Sequence, residues 1–313
     1  MGQPGEYGVI SRLRALLQDD LLRNILANSS YLFSSNSAAV VLSMVQGILA
    51  ARLLGTEQYG VLAATVIPFV STVNRLTSFR MSEVVVKYVG GHLADDQPTD
   101  AAVVLKGAAL MDLGASLAGF FLLVLLAPLA ANSLAKDPAT VPLFIAYGLI
   151  IITNANFETA TGFMQVRNRF GTIAAVNLAQ SIVTAAIILA AVLAERGLLE
   201  VLLAYLLGKS VAGIGLTIIA YRDVHRTLGS GWWRTPLDHI GEWRAIGRFA
   251  FSTNLNGTVN LIVRDSETLW VSFFRNPTEA GYFRIAQSVI NLIMLPIQPL
   301  IGTTYREISN TIA

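Results

Sequence analysis

The length of the apolar runs is what most constrains this chain. Its hydrophobic residues come in blocks of roughly 20, the length an α-helix needs to cross about 30 Å of hydrocarbon. A helix satisfies its backbone hydrogen bonds within one segment, so helical spans are the natural fold for such blocks in a bilayer. Composition agrees, with 54% hydrophobic and 13% charged residues in 313 and a mean hydropathy of +0.58. That is about half the charge of an ordinary soluble domain. The expected fold class is all-α, a polytopic membrane protein.

Eight spans are expected, at 30–54, 60–79, 101–131, 141–164, 172–194, 198–221, 249–274 and 282–305. The third is overlong and contains Pro128, so its last turns are expected at the interface. Residues 82–100, SEVVVKYVGGHLADDQPTD, read as a polar connector with a Gly-Gly break. Before the first span, Val9, Leu13, Leu16, Leu17 and Leu21 recur at helical spacing, which suggests an interfacial lead-in over 1–29. A plain cytoplasmic extension is the alternative. The connector at 222–248 holds Trp232, Trp233 and Trp243 among five arginines, a mixture that favours the membrane surface. An ordinary inter-lobe linker is the plainer reading of it.

Orientation follows from the basic residues. With the N-terminus inside, fourteen Lys and Arg fall on the cytoplasmic side, and only Arg52, Lys136, Arg196 and Arg275 on the other. Such asymmetry marks the cytoplasmic face.

A short polar turn, LGTEQYG at 54–60, is echoed by NPTEAGY at 276–282, with Thr56-Glu57 and Thr278-Glu279 related by an offset of 222. A helix-turn-helix unit that recurs this way fits a design of two six-helix lobes. The expected organisation is a six-helix N-lobe over 30–221, a connector over 222–248, and the first two helices of a C-lobe over 249–313. On that pattern the chain reads as C-terminally truncated.

The segment ARLLGTEQYGVLAATVIPFVSTVNRL resembles the first two helices of the polysaccharide biosynthesis and export proteins, the Wzx-type O-antigen flippases of the MOP superfamily. RDSETLWVSFFRNPTEAGYFRIAQSV is similar to the seventh and eighth helices of that family. The resemblance runs from about residue 28 to residue 305 and is carried by loose motifs, a few turn residues and a charge pair. It implies a flippase in the cell membrane, not an enzyme and without a cofactor. Such a protein moves a polyprenyl-diphosphate-linked oligosaccharide from the inner to the outer leaflet by alternating access. It implies membrane lipid as surroundings, and glycosyltransferases or a polymerase of the same pathway as candidate partners. A multidrug or cation antiporter of the same superfamily is one alternative; a non-transporting membrane partner is another.

Ionisable groups within spans are the natural site candidates, because burying them in lipid is costly. Ser252, Asn256, Asn260, Arg264 and Glu267 fall at spacings of four, four, four and three, on one helix face. Arg264 offers a positive fork to a diphosphate, although it could equally neutralise Glu267 or Asp265. Lys209 lies near mid-depth in the sixth span and is the second cationic candidate. Lys106 is a third, although snorkelling explains it as well. Arg52 and Arg284 read as outer interface anchors. Asp112 and Glu158, on consecutive antiparallel spans, are expected in one layer and could bind a coupling proton or Na⁺, with Asp265 as a further acid. The plainer reading pairs Asp112 with Lys106 or Lys209, and Glu158 with Asn154 or Thr161. Thr65 and Thr72 suit interhelical hydrogen bonding, and Gly114, Gly119, Gly213 and Gly215 suit close packing rather than hinges.

Zero cysteines exclude disulfides, thiolate zinc sites and a Cys nucleophile. His92, His225 and His239 have no second ligand at metal spacing. No Gly-rich loop ends in Gly-Lys-Ser/Thr, so ATP hydrolysis within this sequence is excluded. The short basic connectors do not suit nucleic acid.

Overall fold

A computed structural model describes residues 20–239, 241, 243–260 and 266–294, with side chains from residue 37 onward except at 239, 256, 257, 259 and 260. Among these residues all regular structure is helical. The first helix, α1 (Asp20–Tyr59), is broken at Gly55, whose φ of 73° and ψ of 169° lie in a region only glycine adopts readily. The turn at 54–60 is therefore tighter than its sequence suggests, because residues 56–59 stay helical. A π-helical turn (Gly60–Val66) leads into α2 (Ile67–Thr77). Within this wide turn Thr65 Oγ1 donates to the Gly60 carbonyl at 3.1 Å.

The expected polar connector at 82–100 is mostly helix: α3 (Met81–Val84), a π-helical turn (Val85–Val89) and α4 (Gly90–Ala94). Met81, Val84, Val85 and Val89 recur at helical spacing and are buried, and that burial outweighs the weak helix propensity of Gly90-Gly91. The break comes at the Asp-Asp-Gln turn instead. Next, α5 (Pro98–Ala130) runs unbroken through Pro128 into a π-helical turn (Ala131–Ala135).

The fourth expected span divides into α6 (Val141–Thr153) and α7 (Phe157–Val166). Asn154 causes the interruption: its Nδ2 donates back to the Ile150 carbonyl at 2.9 Å, closing α6. Four longer elements follow, α8 (Phe170–Leu193), α9 (Leu198–Leu228), α10 (Trp243–Asn260) and, after a short α11 (Glu267–Phe274), α12 (Pro277–Met294). Asn276 caps α12 by accepting from Glu279 N at 2.9 Å.

Among the described residues five segments are long and apolar enough to cross a membrane, and the first of them, Ser37–Ala94, contains most of the first expected hairpin and the α3–α4 stretch. The last two expected spans lie partly outside the described residues. Large apolar side chains remain open on the outer surface, among them Phe121 at 66% and Leu193 at 78%. Water would penalise that surface and lipid does not. The chain is thus a polytopic, all-α membrane protein.

Two apolar cores are stacked along the helices. One, near the Gly55 turn, gathers Leu62, Leu123, Phe144, Ile151 and Leu202. The other, near the connector, gathers Met81, Leu105, Phe163, Met164 and Leu216. Both α5 and α9 contribute to each core, and between those contributions they place Asp112, Ser116 and Lys209 on the inner side. At the Gly55 end the two recurrent turns touch: a Cβ on Gly281 would meet the Thr56 carbonyl oxygen and Gly60 Cα, and a Cβ on Gly60 would run into the Pro277 backbone. Thr65 and Ser272 hydroxyls bond at 2.9 Å beside this contact, the interhelical bond expected of Thr65. Gly119 and Gly213 are close-packed against Thr77 and Asn154, whereas Gly114 and Gly215 face open space and are not packing positions.

Candidate functional site

Between the two cores lies a cavity of about 320 Å³. Its floor is α2, which turns Ser71, Asn74 and Arg75 inward at about one-turn spacing, with Ser78 just past its end. The α5 wall supplies Asp112 and Ser116, the interrupted α6–α7 wall supplies Tyr147, Asn154 and Glu158, and α9 supplies Lys209. All of these residues fall between 71 and 209, so the described lining comes from the part of the chain that precedes the connector.

Lys209, Asp112 and Glu158, expected from sequence, are thus brought together. The two acids act electrostatically on one another, as a shared layer requires. Their bonding differs from the expected pairing. Asp112 is 5% exposed, and its Oδ2 accepts from Thr159 N at 2.9 Å and Thr159 Oγ1 at 2.8 Å. Thr159 is the third residue of α7, so its amide is one of the donors left over at a helix N-terminus. Asp112 caps α7 from the neighbouring helix, and this explains a buried carboxylate without a cation. Glu158 accepts from Ser82 Oγ at 2.5 Å. Neither Asn154 nor Thr161 reaches it, because each bonds a carbonyl one turn back.

With both acids held by hydroxyl and amide donors, Lys209 makes no hydrogen bond or ion pair with a described residue. Arg75 is near enough for the two like charges to repel. Two cations in one cavity suit, by their chemistry, an anion that carries more than one negative charge. Sequence reasoning missed Arg75 because it is three residues from the end of its helix, where a cation passes for an interface anchor. The signal that could have found it is the polar face Ser71-Asn74-Arg75-Ser78, as regular as the one noticed around Asn256.

The remaining candidates lie elsewhere. Lys106 is outside the cavity lining and donates to the Thr235 carbonyl at 3.0 Å. Glu267 starts α11 and accepts from Gln287 Nε2 at 3.1 Å. Gln287 in turn accepts from Arg284 at 3.1 Å. Arg284 is more than an interface anchor, because with Tyr59 and Tyr205 it lines a second cavity of about 90 Å³ near the Gly55 end. Arg264, Asp265 and the side chains of Asn256 and Asn260 lie outside the described residues.

The sequence profile of a family described as polysaccharide biosynthesis protein matches residues 25–305. The Inner membrane protein YghQ of Escherichia coli (strain K12) is 23% identical over 291 residues, covering 93% of this chain and 81% of that protein. No solved structure matches.

Proposed function

Because the chain belongs to the polysaccharide biosynthesis protein family, we propose that it is a flippase-type transporter of the inner membrane, not an enzyme, and that its cargo is a polyprenyl-diphosphate-linked saccharide. One observation carries this reading: Lys209 and Arg75 converge on a polar cavity between two apolar cores, while the acids beside them are occupied. Cations in this setting hold the diphosphate. Hydroxyls and amides from Ser71, Asn74, Ser116 and Asn154 offer hydrogen bonds to sugar. The polyprenyl chain stays in lipid. Arg264 joins this cation set as an expectation from sequence. The basic residues argue for a cytoplasmic N-terminus, which puts the connector on the cytoplasmic side, and movement of one lobe against the other would carry the site from leaflet to leaflet.

Export of lipid-linked saccharide by cells carrying Lys209→Ala or Arg75→Ala tests the proposal. Loss of export at wild-type protein levels is expected in both; wild-type export in both would remove these residues as the diphosphate anchor. A cation antiporter is the second reading, favoured by Asp112 and Glu158 in the same cavity. On that reading Asp112→Asn and Glu158→Gln would abolish transport, and Lys209→Ala would leave it intact.

A further inference from the structure

Residues 229–238 of the connector are not among the described lining of the cavity, and they are held against the bundle by specific contacts. Helix α9 ends at Gly229, whose φ of 84° reverses the chain. The Trp232 ring then packs back on Tyr221 at 5.8 Å and His225 at 6.3 Å. Thr235 is fastened by Lys106, eight residues into α5, a rise of about 12 Å from the start of that helix. Trp243 Nε1 donates to the Leu237 carbonyl at 2.6 Å, and its ring fills the notch that Gly107 leaves in α5. The connector thus lies alongside the bundle, about two helical turns up from the start of α5.

The side it lies on is defined by α5. Lys106 continues the stripe Leu110, Leu113, Leu117 and Phe121, all exposed, which is the lipid-facing surface of that helix and lies well away from Asp112 and Ser116 around its circumference. Lys106 Nζ therefore draws the connector over the connector-end margin of the lipid face. There Trp233 is 51% exposed, with the Arg234 guanidinium 5.0 Å from its ring centroid. Arg226 and Arg244, on the flanking helices, are also exposed, and neither has an ion-pair partner among the described residues. An indole settles at headgroup depth, and guanidinium groups around it bind phosphate.

We infer that this connector is a binding surface for anionic phospholipid headgroups, centred on Trp233 and Arg234. The inference rests on the placement of the connector beside the bundle and is independent of the cargo. An acidic soluble protein would need the same arginines to face water, away from the lipid stripe.

Tryptophan quenching in nanodiscs tests it, using the whole chain in an equal mixture of phosphatidylglycerol and phosphatidylcholine, with one lipid and then the other brominated near the headgroup. The Trp233 signal is the difference between the wild type and Trp233→Phe. Brominated phosphatidylglycerol should quench that signal about fivefold more than brominated phosphatidylcholine. The ratio should fall to about one when Arg226, Arg234 and Arg244 are all changed to Gln. Equal quenching by the two lipids in the wild type, a ratio unchanged in the triple variant, or a Trp233 signal that neither lipid quenches would overturn the inference. The last of these is the result expected of a surface for a soluble acidic partner.

Discussion

At the scale of single residues, the cavity is organised by which donors take which acids. Thr159 satisfies Asp112 twice, and the amide half of that pair belongs to the helix end whatever side chain stands there. Thr159→Val therefore removes one of two bonds, and should lower stability by about 1 kcal/mol, the usual size of one buried hydrogen bond. Asp112→Ala also uncaps α7 and should cost about 2–3 kcal/mol; thermal unfolding of the two variants in one detergent gives the order. Ser82→Ala releases Glu158 toward Lys209, and should weaken anion binding without abolishing it. Direct titration with a diphosphate checks this.

How far these residues were legible follows from the same geometry. Lys209, Asp112 and Glu158 could be picked out because a charge in the middle of an apolar run has no cheap explanation. Their partners could not. Thr159 and Ser82 are ordinary helix residues in the sequence, and only the break at Asn154, which turns the start of α7 toward α5, makes one of them a donor to Asp112.

At the scale of elements, glycines decide where helices approach. A methyl on Gly60 would enter the Pro277 backbone, whereas one on Gly281 would press on the Thr56 carbonyl oxygen at 3.0 Å and on Gly60 Cα at 3.1 Å. Gly281→Ala should destabilise by about 1–3 kcal/mol through overpacking. Gly114→Ala, where a Cβ meets open space, should be neutral or slightly stabilising through helix propensity. Unfolding midpoints of this pair separate packing from propensity. At the other end, Asp223, 4% exposed, holds Arg169 at 3.0 Å and Arg167 at 3.5 Å, tying the α7–α8 turn to α9. Asp223→Ala should cost about 1–2 kcal/mol, below the figure for a fully buried pair because both arginines are half-exposed.

Element positions were easier to read than their interruptions. The apolar runs marked α5 and α8 nearly to their ends, because about 20 apolar residues leave a helix in lipid few alternatives, whereas α9 starts where expected but runs seven residues past the expected end at 221, into the polar sequence read as connector. The break at Asn154 and the helical course of residues 81–94 were not apparent. In the first case a single amide competes with the backbone inside an apolar run; in the second, burial of Met81, Val84, Val85 and Val89 overrides polar composition and two glycines.

At the scale of the molecule, a polar layer is held between two apolar cores, and the chain reverses at the Gly55 end through two turns of shared sequence pattern that pack on one another. The recurrence TEQYG and TEAGY was visible in the sequence as an echo; that the two copies touch was not, because contact between segments 222 residues apart leaves no local trace. The apolar cores carry stability, and the layer between them is free to carry charge. The central claim is that the cations of this layer hold a diphosphate. Its most direct test is the affinity of the chain, in nanodiscs, for a polyprenyl diphosphate. Lys209→Gln should weaken binding at least about tenfold, the value of one charge-assisted bond, and Lys209→Arg should retain most of it. Equal affinity in the wild type and Lys209→Gln would contradict the account.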